Sequence, residues 1–235
     1  MNDLGEAFWL AIALMLGGDS DLIEIIGLSL RTSLSALALA SMIGFPLGAI
    51  VGMGRFRGRG VAAVVLNTAM GLPPVVVGLL VYLMLSGAGP LGVFRLLYTP
   101  TAMIIAQTLL ITPIVAALTR QVIEDLHGEY AELFRSLGVP AWLAVRALLW
   151  DARYSLMTAA LAGFGRAIAE VGAVIIVGGN INHVTRVMTT AIALETSKGD
   201  LARALALGIV LLVLALAANL AVMALGAAAR RKAYV

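Results

Sequence analysis

Two ionisable residues, Arg166 and Glu170, stand inside an otherwise uncharged apolar run. Spaced by four, they fall on one face of a helix and can pair. Each costs about 2.5–3.5 kcal/mol at the centre of a bilayer, so such residues turn toward a bundle interior or a water path. Two uses fit: the pair neutralises itself and fixes helix packing, or Arg166 gives a passing anion a positive waypoint while Glu170 limits how tightly it is held. A second uncharged run is interrupted by Gly71, Pro73 and Pro74. The interruption is either a packing kink or a bend whose freed backbone donors touch the same path. Asn180, Asn182, Thr185, Arg186, Thr189 and Thr190 form a polar group that suits a gate, a partner contact or a solvated loop. His127 and His183 have no carboxylate or cysteine at ligand spacing, so no metal site is expected.

The elements that must hold these residues follow from composition. The 235-residue chain is 61% hydrophobic and 12% charged, with a mean hydropathy of +1.02. Soluble domains are near a quarter charged, so this is an integral membrane protein. Cysteine is absent, which removes disulfides and thiolate metal sites. The net charge of +3 comes mostly from arginines flanking apolar runs, a pattern of membrane orientation and not of nucleic-acid binding. Asp3 and Glu6 precede the first apolar run without a Lys or Arg, which argues against a cleavable signal peptide.

Residues 6–16 are too few to span, since about 20 are needed; they predict an interfacial helix, ended by Gly17, Gly18, Asp19, Asp21 and Glu24. A first span covers 32–54, beginning near 25, with Gly44, Gly48 and Gly52 suited to close helix contact and Pro46 to a kink. Residues 61–94 read as one bent span with an external turn at 86–92, 96–119 as the third, 154–179 as the fourth and 204–229 as the fifth. Part of the loop after the fourth, 189–196, suits a short helix dipping into the bundle. The expected fold is an all-α polytopic bundle of five spans plus the N-terminal helix, in a single domain over 1–235. With the N-terminus outside and the C-terminus in the cytoplasm, ten basic residues fall inside (Arg55, Arg57, Arg59, Arg120, Arg135, Arg146, Arg153, Arg230, Arg231, Lys232) against five outside (Arg31, Arg95, Arg186, Lys198, Arg203). That excess fits the positive-inside rule.

Residues 129–151 are the long polar interruption in this greasy chain. Acids come early (Glu129, Glu132), Gly138 stands where a left-handed helix cap belongs, and Pro140 where a second helix begins. The second helix mixes Arg146 and Arg153 with Trp142, Leu143, Val145, Leu148, Leu149 and Trp150, so it lies half in lipid or against protein.

Glu132, Arg135, Leu137 and Gly138 keep their places in a pattern that resembles the EAA loop of permease subunits of ABC importers. Leu133 and Phe134 stand for its two alanines, and Trp150-Asp151 for its terminal Leu-Pro. The resemblance implies the type I (MetI-like) permease fold and makes 120–153 a cytoplasmic coupling loop. Within it Glu129, Glu132, Arg135, Gly138, Val139, Pro140 and Ala141 are the expected contacts with an ATPase subunit. Two stretches, Gly71 to Leu80 with Gly89-Pro90-Leu91-Gly92, and Phe164 to Ala173, look like molybdate-type permeases. Three others, Thr99 to Gln107, Val177 to Ile181 and Thr185 to Thr196, look more like the tungstate branch. They imply oxyanion import in a prokaryotic cytoplasmic membrane by two copies of this chain, two ATPases and an extracytoplasmic oxyanion-binding protein. Pro73, Pro74, Arg166, Glu170, Asn180 and Thr189 are then the candidates for the path or gate. No G-x-x-x-x-G-K-[ST] loop occurs, so ATP and Mg are expected on the partner and no cofactor on this chain. A self-sufficient secondary transporter would carry more intramembrane acids than Glu170 and usually inverted repeats. An intramembrane enzyme would need a nucleophile with its base or a metal pair, and no catalytic residue is expected.

Overall fold

The computed structural model describes residues 3–17, 20–54 and 56–233. Gly18, Asp19 and Arg55 lie outside them, as do the side chains of Glu6, Arg230, Arg231 and Lys232. Among the described residues all regular structure is helical: α1 (Asp3–Leu16), α2 (Ser20–Met53), α3 (Arg59–Met70), α4 (Pro74–Leu85), α5 (Pro100–Ser136), α6 (Ala141–Asp151), α7 (Arg153–Ile168), α8 (Gly172–Gly178), α9 (Met188–Lys198) and α10 (Leu201–Ala233), with a 3-10 turn at Gly92–Phe94.

The bundle is organised around α2 and α5. Along α2 every fourth residue from Thr32 through Ala36, Ala40, Gly44 and Gly48 to Gly52 is buried, which puts a continuous small-residue stripe on one face. Pressed into this stripe, α5 leaves no room for side chains. A Cβ on Gly48 would lie 2.4 Å from the Ala116 carbonyl oxygen, and one on Gly52 2.8 Å from that of Arg120. Pro46 and Pro113 sit inside the two helices without ending either.

Three helices are long and apolar enough to cross a membrane, Ser20–Met53, Pro100–Ser136 and the Leu201–Ala221 part of α10, and two bent pairs bring the total to as many as 5. The pair α3 and α4 turns through 98°, and α7 and α8 through 58°. The first is much sharper than the bent span expected of 61–94. Gly71 and Leu72 close α3 in a turn, Pro73 is extended, and Pro74 restarts the chain as the first residue of α4, where its missing N–H costs nothing. Large apolar residues cover the outside, Met42 and Leu212 each being 72% exposed, as a lipid-facing surface requires.

Two boundaries differ from the sequence reading. The helix of the third span does not end where the charged residues begin near residue 119, because α5 runs unbroken for 37 residues to Ser136. The fourth does not run straight, because the chain leaves the helix at Ala169–Val171. The expected helix at 189–196 is present as α9, with Met188, Thr189, Thr190 and Ala191 buried. Packed on α10, α1 shares a cluster in which Ala11 meets Leu22, Met188 and Ala206, while Phe8 and Trp9 are exposed.

Candidate functional site

At about 1.5 Å per residue α5 is about 55 Å long, against about 40–45 Å for a bilayer with its headgroups. The charged residues from Arg120 to Arg135 mark its last turns as the end that leaves the hydrocarbon. There the helix closes as sequence chemistry demands. Gly138 takes φ 62°, Val139 N–H donates to Phe134 O at 2.9 Å, and Gly138 N–H to Arg135 O at 3.2 Å. These are the paired bonds of a Schellman cap. Pro140 follows as the extended N-cap of α6. Glu129, Glu132, Arg135, Gly138, Pro140 and Ala141 are exposed and Val139 half-buried, and two leucines, Leu133 and Leu137, stand out among them at 49% and 68% exposure. The hairpin is held shut from within. Tyr130 stacks on Phe134 and its hydroxyl donates to Asp151 Oδ2 at 3.2 Å, a carboxylate contact that raises the Tyr130 pKa. Under the elbow, a cleft of about 530 Å³ is lined by Met53, His127, Phe134, Arg135, Gly138 and their neighbours.

Arg59 makes a link that the sequence hid inside a basic cluster. Its guanidinium donates to the Val51 and Gly52 carbonyls at 3.0 Å each and to Glu124 Oε1 at 2.6 Å. It thus caps the orphan carbonyls of α2 and ties them to α5. Glu124 Oε2 also accepts from Arg120 at 2.6 Å.

At the break between α7 and α8, three side chains bond backbone groups that flank it. Gln107 Nε2 donates to Ala167 O at 3.0 Å, Glu170 Oε1 accepts from Ala173 N–H at 3.1 Å, and Thr189 Oγ1 donates to Glu170 O at 2.8 Å. The remaining Glu170 oxygen pairs with Arg166 at 2.5 Å. Glu170 is buried while a third of the Arg166 side chain is exposed, so the pair forms as its spacing suggested but across the end of a helix.

Beside this break lies the other one. A Cβ on Gly172 would stand 3.0 Å from Val75 Cγ2, and one on Gly78 2.7 Å from Ala173 Cα, so α4, which begins at Pro74, and α8, which begins two residues after Glu170, pack against each other. Thr189, read from sequence with the loop, belongs here. Asn180 does not: it lies beyond the far end of α8 with φ 50°, where its carbonyl accepts from Arg186 at 3.5 Å and Asn182 accepts from Arg186 at 2.9 Å. In the same loop His183 meets Glu24 at 2.7 Å, and that hydrogen bond and negative charge raise the His183 pKa.

Sequence reasoning missed the polar lining of this centre. Ser29, Thr32 and Ser33 of α2 join Gln107, Glu170 and Thr189 around a void of about 10 Å³, and Gln107 Oε1 is buried with no hydrogen-bond partner among the described residues. The available signal was three hydroxyls at positions i, i+3 and i+4 of an apolar helix, with a lone glutamine mid-span.

Compared with known proteins, residues 44–231 match the family described as binding-protein-dependent transport system inner membrane component. The chain is 42% identical over 203 residues to a probable anion ABC transporter permease protein of Haloferax volcanii, covering 84% of this chain and 88% of that one. It is 41% identical over 219 residues to a tungstate uptake system permease protein of Peptoclostridium acidaminophilum, covering 93% and 96%. The corresponding tungstate permease of Campylobacter jejuni is 38% identical over 214 residues, covering 91% and 90%. Permeases named for sulfate and molybdenum are more distant.

Proposed function

The chain belongs to the family of binding-protein-dependent transport system inner membrane components, and from that premise we propose that it carries tungstate foremost, and molybdate next, through the membrane of an ATP-driven importer. It works as two copies with two cytoplasmic ATPases, which bind ATP and Mg, and an extracytoplasmic oxyanion-binding protein. The N-terminus lies outside and the C-terminus inside, which places the elbow in the cytoplasm and the loop around Arg186 at the entrance.

The observation that carries this reading is the elbow. A helix continuous from mid-membrane to Ser136, capped in a fixed geometry and ending in exposed leucines among charges, transmits displacement along its axis and presents an apolar contact to a motor. Glu129, Glu132, Arg135, Gly138, Val139, Pro140 and Ala141 are its coupling surface. Pro73, Pro74, Arg166, Glu170 and Thr189 form the path or gate, where two helix breaks meet, and Asn180 belongs to the entrance loop. A void of about 10 Å³ is too small for an oxyanion, so the path within one chain is shut and opens between two copies.

The test is ATP hydrolysis by the complete complex in vesicles, with the binding protein loaded with tungstate, molybdate or sulfate. Tungstate should stimulate most and sulfate least, and this chain alone should hydrolyse nothing. Stimulation led by sulfate overturns the substrate assignment; hydrolysis or transport by the isolated chain overturns the subunit role.

A further inference from the structure

The outer face of α6 takes no part in the coupling elbow or in the path between the two helix breaks. Trp142, Arg146 and Trp150 are spaced by four along it, so they share one side of the helix. With Leu143, Leu149 and Pro46 of α2 they line a groove of about 780 Å³. The other side of α6 is committed to the bundle, where Leu148 packs with Ala49 and Ile123. Trp142 and Trp150 are 68% and 72% exposed, too much aromatic surface to leave in water.

Depth decides what covers it. Pro46 lies seven residues before Met53, the last residue of α2, so it stands about 10 Å back along the helix, in a stretch with no charged residue. The groove therefore opens at the end of a spanning helix and descends to hydrocarbon, where no soluble subunit reaches. Arg146 supplies the one charge in its lining; it is exposed. Next along the chain, Arg153 lies over the Trp150 ring, 5.1 Å from its centroid, and donates to the Trp150 carbonyl at 2.8 Å, which fixes the indole. Paired tryptophans with an arginine between them match the headgroup layer, the indoles at the interface and the cation at phosphate.

We propose that this groove binds an anionic phospholipid, with the headgroup at Arg146, the indoles at the glycerol level and an acyl chain against Pro46 and Leu149. The ligand holds α6 against α2 beside the coupling elbow.

The probe is bromine quenching of tryptophan fluorescence, with the full-length chain carrying Trp9→Phe so that only Trp142 and Trp150 report. In phosphatidylcholine vesicles containing a small fraction of brominated lipid, brominated phosphatidylglycerol should quench with about fivefold higher apparent affinity than brominated phosphatidylcholine, the factor for one arginine at an anionic surface. Arg146→Gln should remove the preference, Arg146→Lys should retain it, and Arg57→Gln, outside the groove, should leave it intact. Equal quenching by both lipids overturns the proposal. So does quenching that disappears when the ATPase subunit binds, which would make this face a protein dock.

Discussion

Prolines lie inside α2 and α5 and break neither, whereas α7 and α8 separate with no proline between them. A missing N–H is therefore not what decides whether a helix continues. In the α2–α5 pair, Gly44, Gly48 and Gly52 let the two backbones touch over several turns, and straight packing outweighs the lost bonds. The Thr108 and Thr112 hydroxyls also donate to the Ile104 and Thr108 carbonyls in the turns before Pro113. At Ala169–Val171 the reverse holds: Gln107, Glu170 and Thr189 supply side-chain partners to Ala167 O, Ala173 N–H and Glu170 O, which lowers the cost of leaving the helix. One region is a rod built by removing side chains; the other is a joint built by supplying them.

The rod is broken most severely by Gly48→Leu. Its Cβ would meet backbone at 2.4 Å and Thr119 Cβ at 2.7 Å, neither of which can step aside, so the expected cost is about 3 kcal/mol or outright misassembly. Thermal unfolding and monodispersity in detergent read this out. Gly128→Ala, on the same α5 but with open space around it, should be neutral or slightly stabilising, by about 0.5 kcal/mol. If both variants behave alike, the glycine stripe is not what holds α2 to α5.

The joint answers to Glu170→Ala, which removes the cap of α8 and leaves Arg166 unpaired. Because Arg166 keeps a third of its side chain exposed, the expected loss is about 2 kcal/mol, less than for a fully buried pair. Glu170→Gln keeps an acceptor for Ala173 N–H and should recover part of it. Arg166→Ala then separates the two roles of the pair. If Arg166 is a waypoint, transport falls more than assembly of the two copies; equal loss leaves only packing.

Between rod and elbow stands the Arg59–Glu124–Arg120 link. Its members are partly exposed, so Glu124→Gln should cost no more than about 1 kcal/mol in unfolding. If α2 follows α5 during turnover, the variant should instead lower transport per ATP hydrolysed in the complete complex. A change in stability with unchanged coupling would reduce the link to a helix cap.

Much of the rod and the elbow was legible because local chemistry writes them. Gly138 and Pro140 specify a left-handed cap and a helix start whatever surrounds them, and small residues every four positions announce a close neighbour. The joint was not legible, because its cause is tertiary. Glu170 looks like an i, i+4 helical partner of Arg166, and only the arrival of Gln107 and Thr189 from α5 and α9 turns its position into a break. The length of α5 was missed for a related reason: Arg120, Glu124 and Asp125 mark the end of hydrocarbon, and a charged boundary says where the membrane stops, not where the helix does.

The smallest effect tests the loop that closes the far end of the joint. His183 gains the Glu24 carboxylate at 2.7 Å, which raises its pKa above the ordinary histidine value. A raised folded-state pKa means that the ion pair contributes fully below the unfolded histidine pKa and is lost as pH rises through the folded one. Both groups are exposed, so global stability should hardly move. A histidine-selective NMR titration should place His183 higher in the unchanged chain than in Glu24→Gln. Because Thr185, two residues on, bonds Gly178 O and Ile181 N–H, the α8 cap should persist in both. An identical titration in the two proteins would show that Glu24 does not fasten this loop, which would then be tied to α2 through the Ser29 hydroxyl that accepts from Met188 N–H at 2.8 Å.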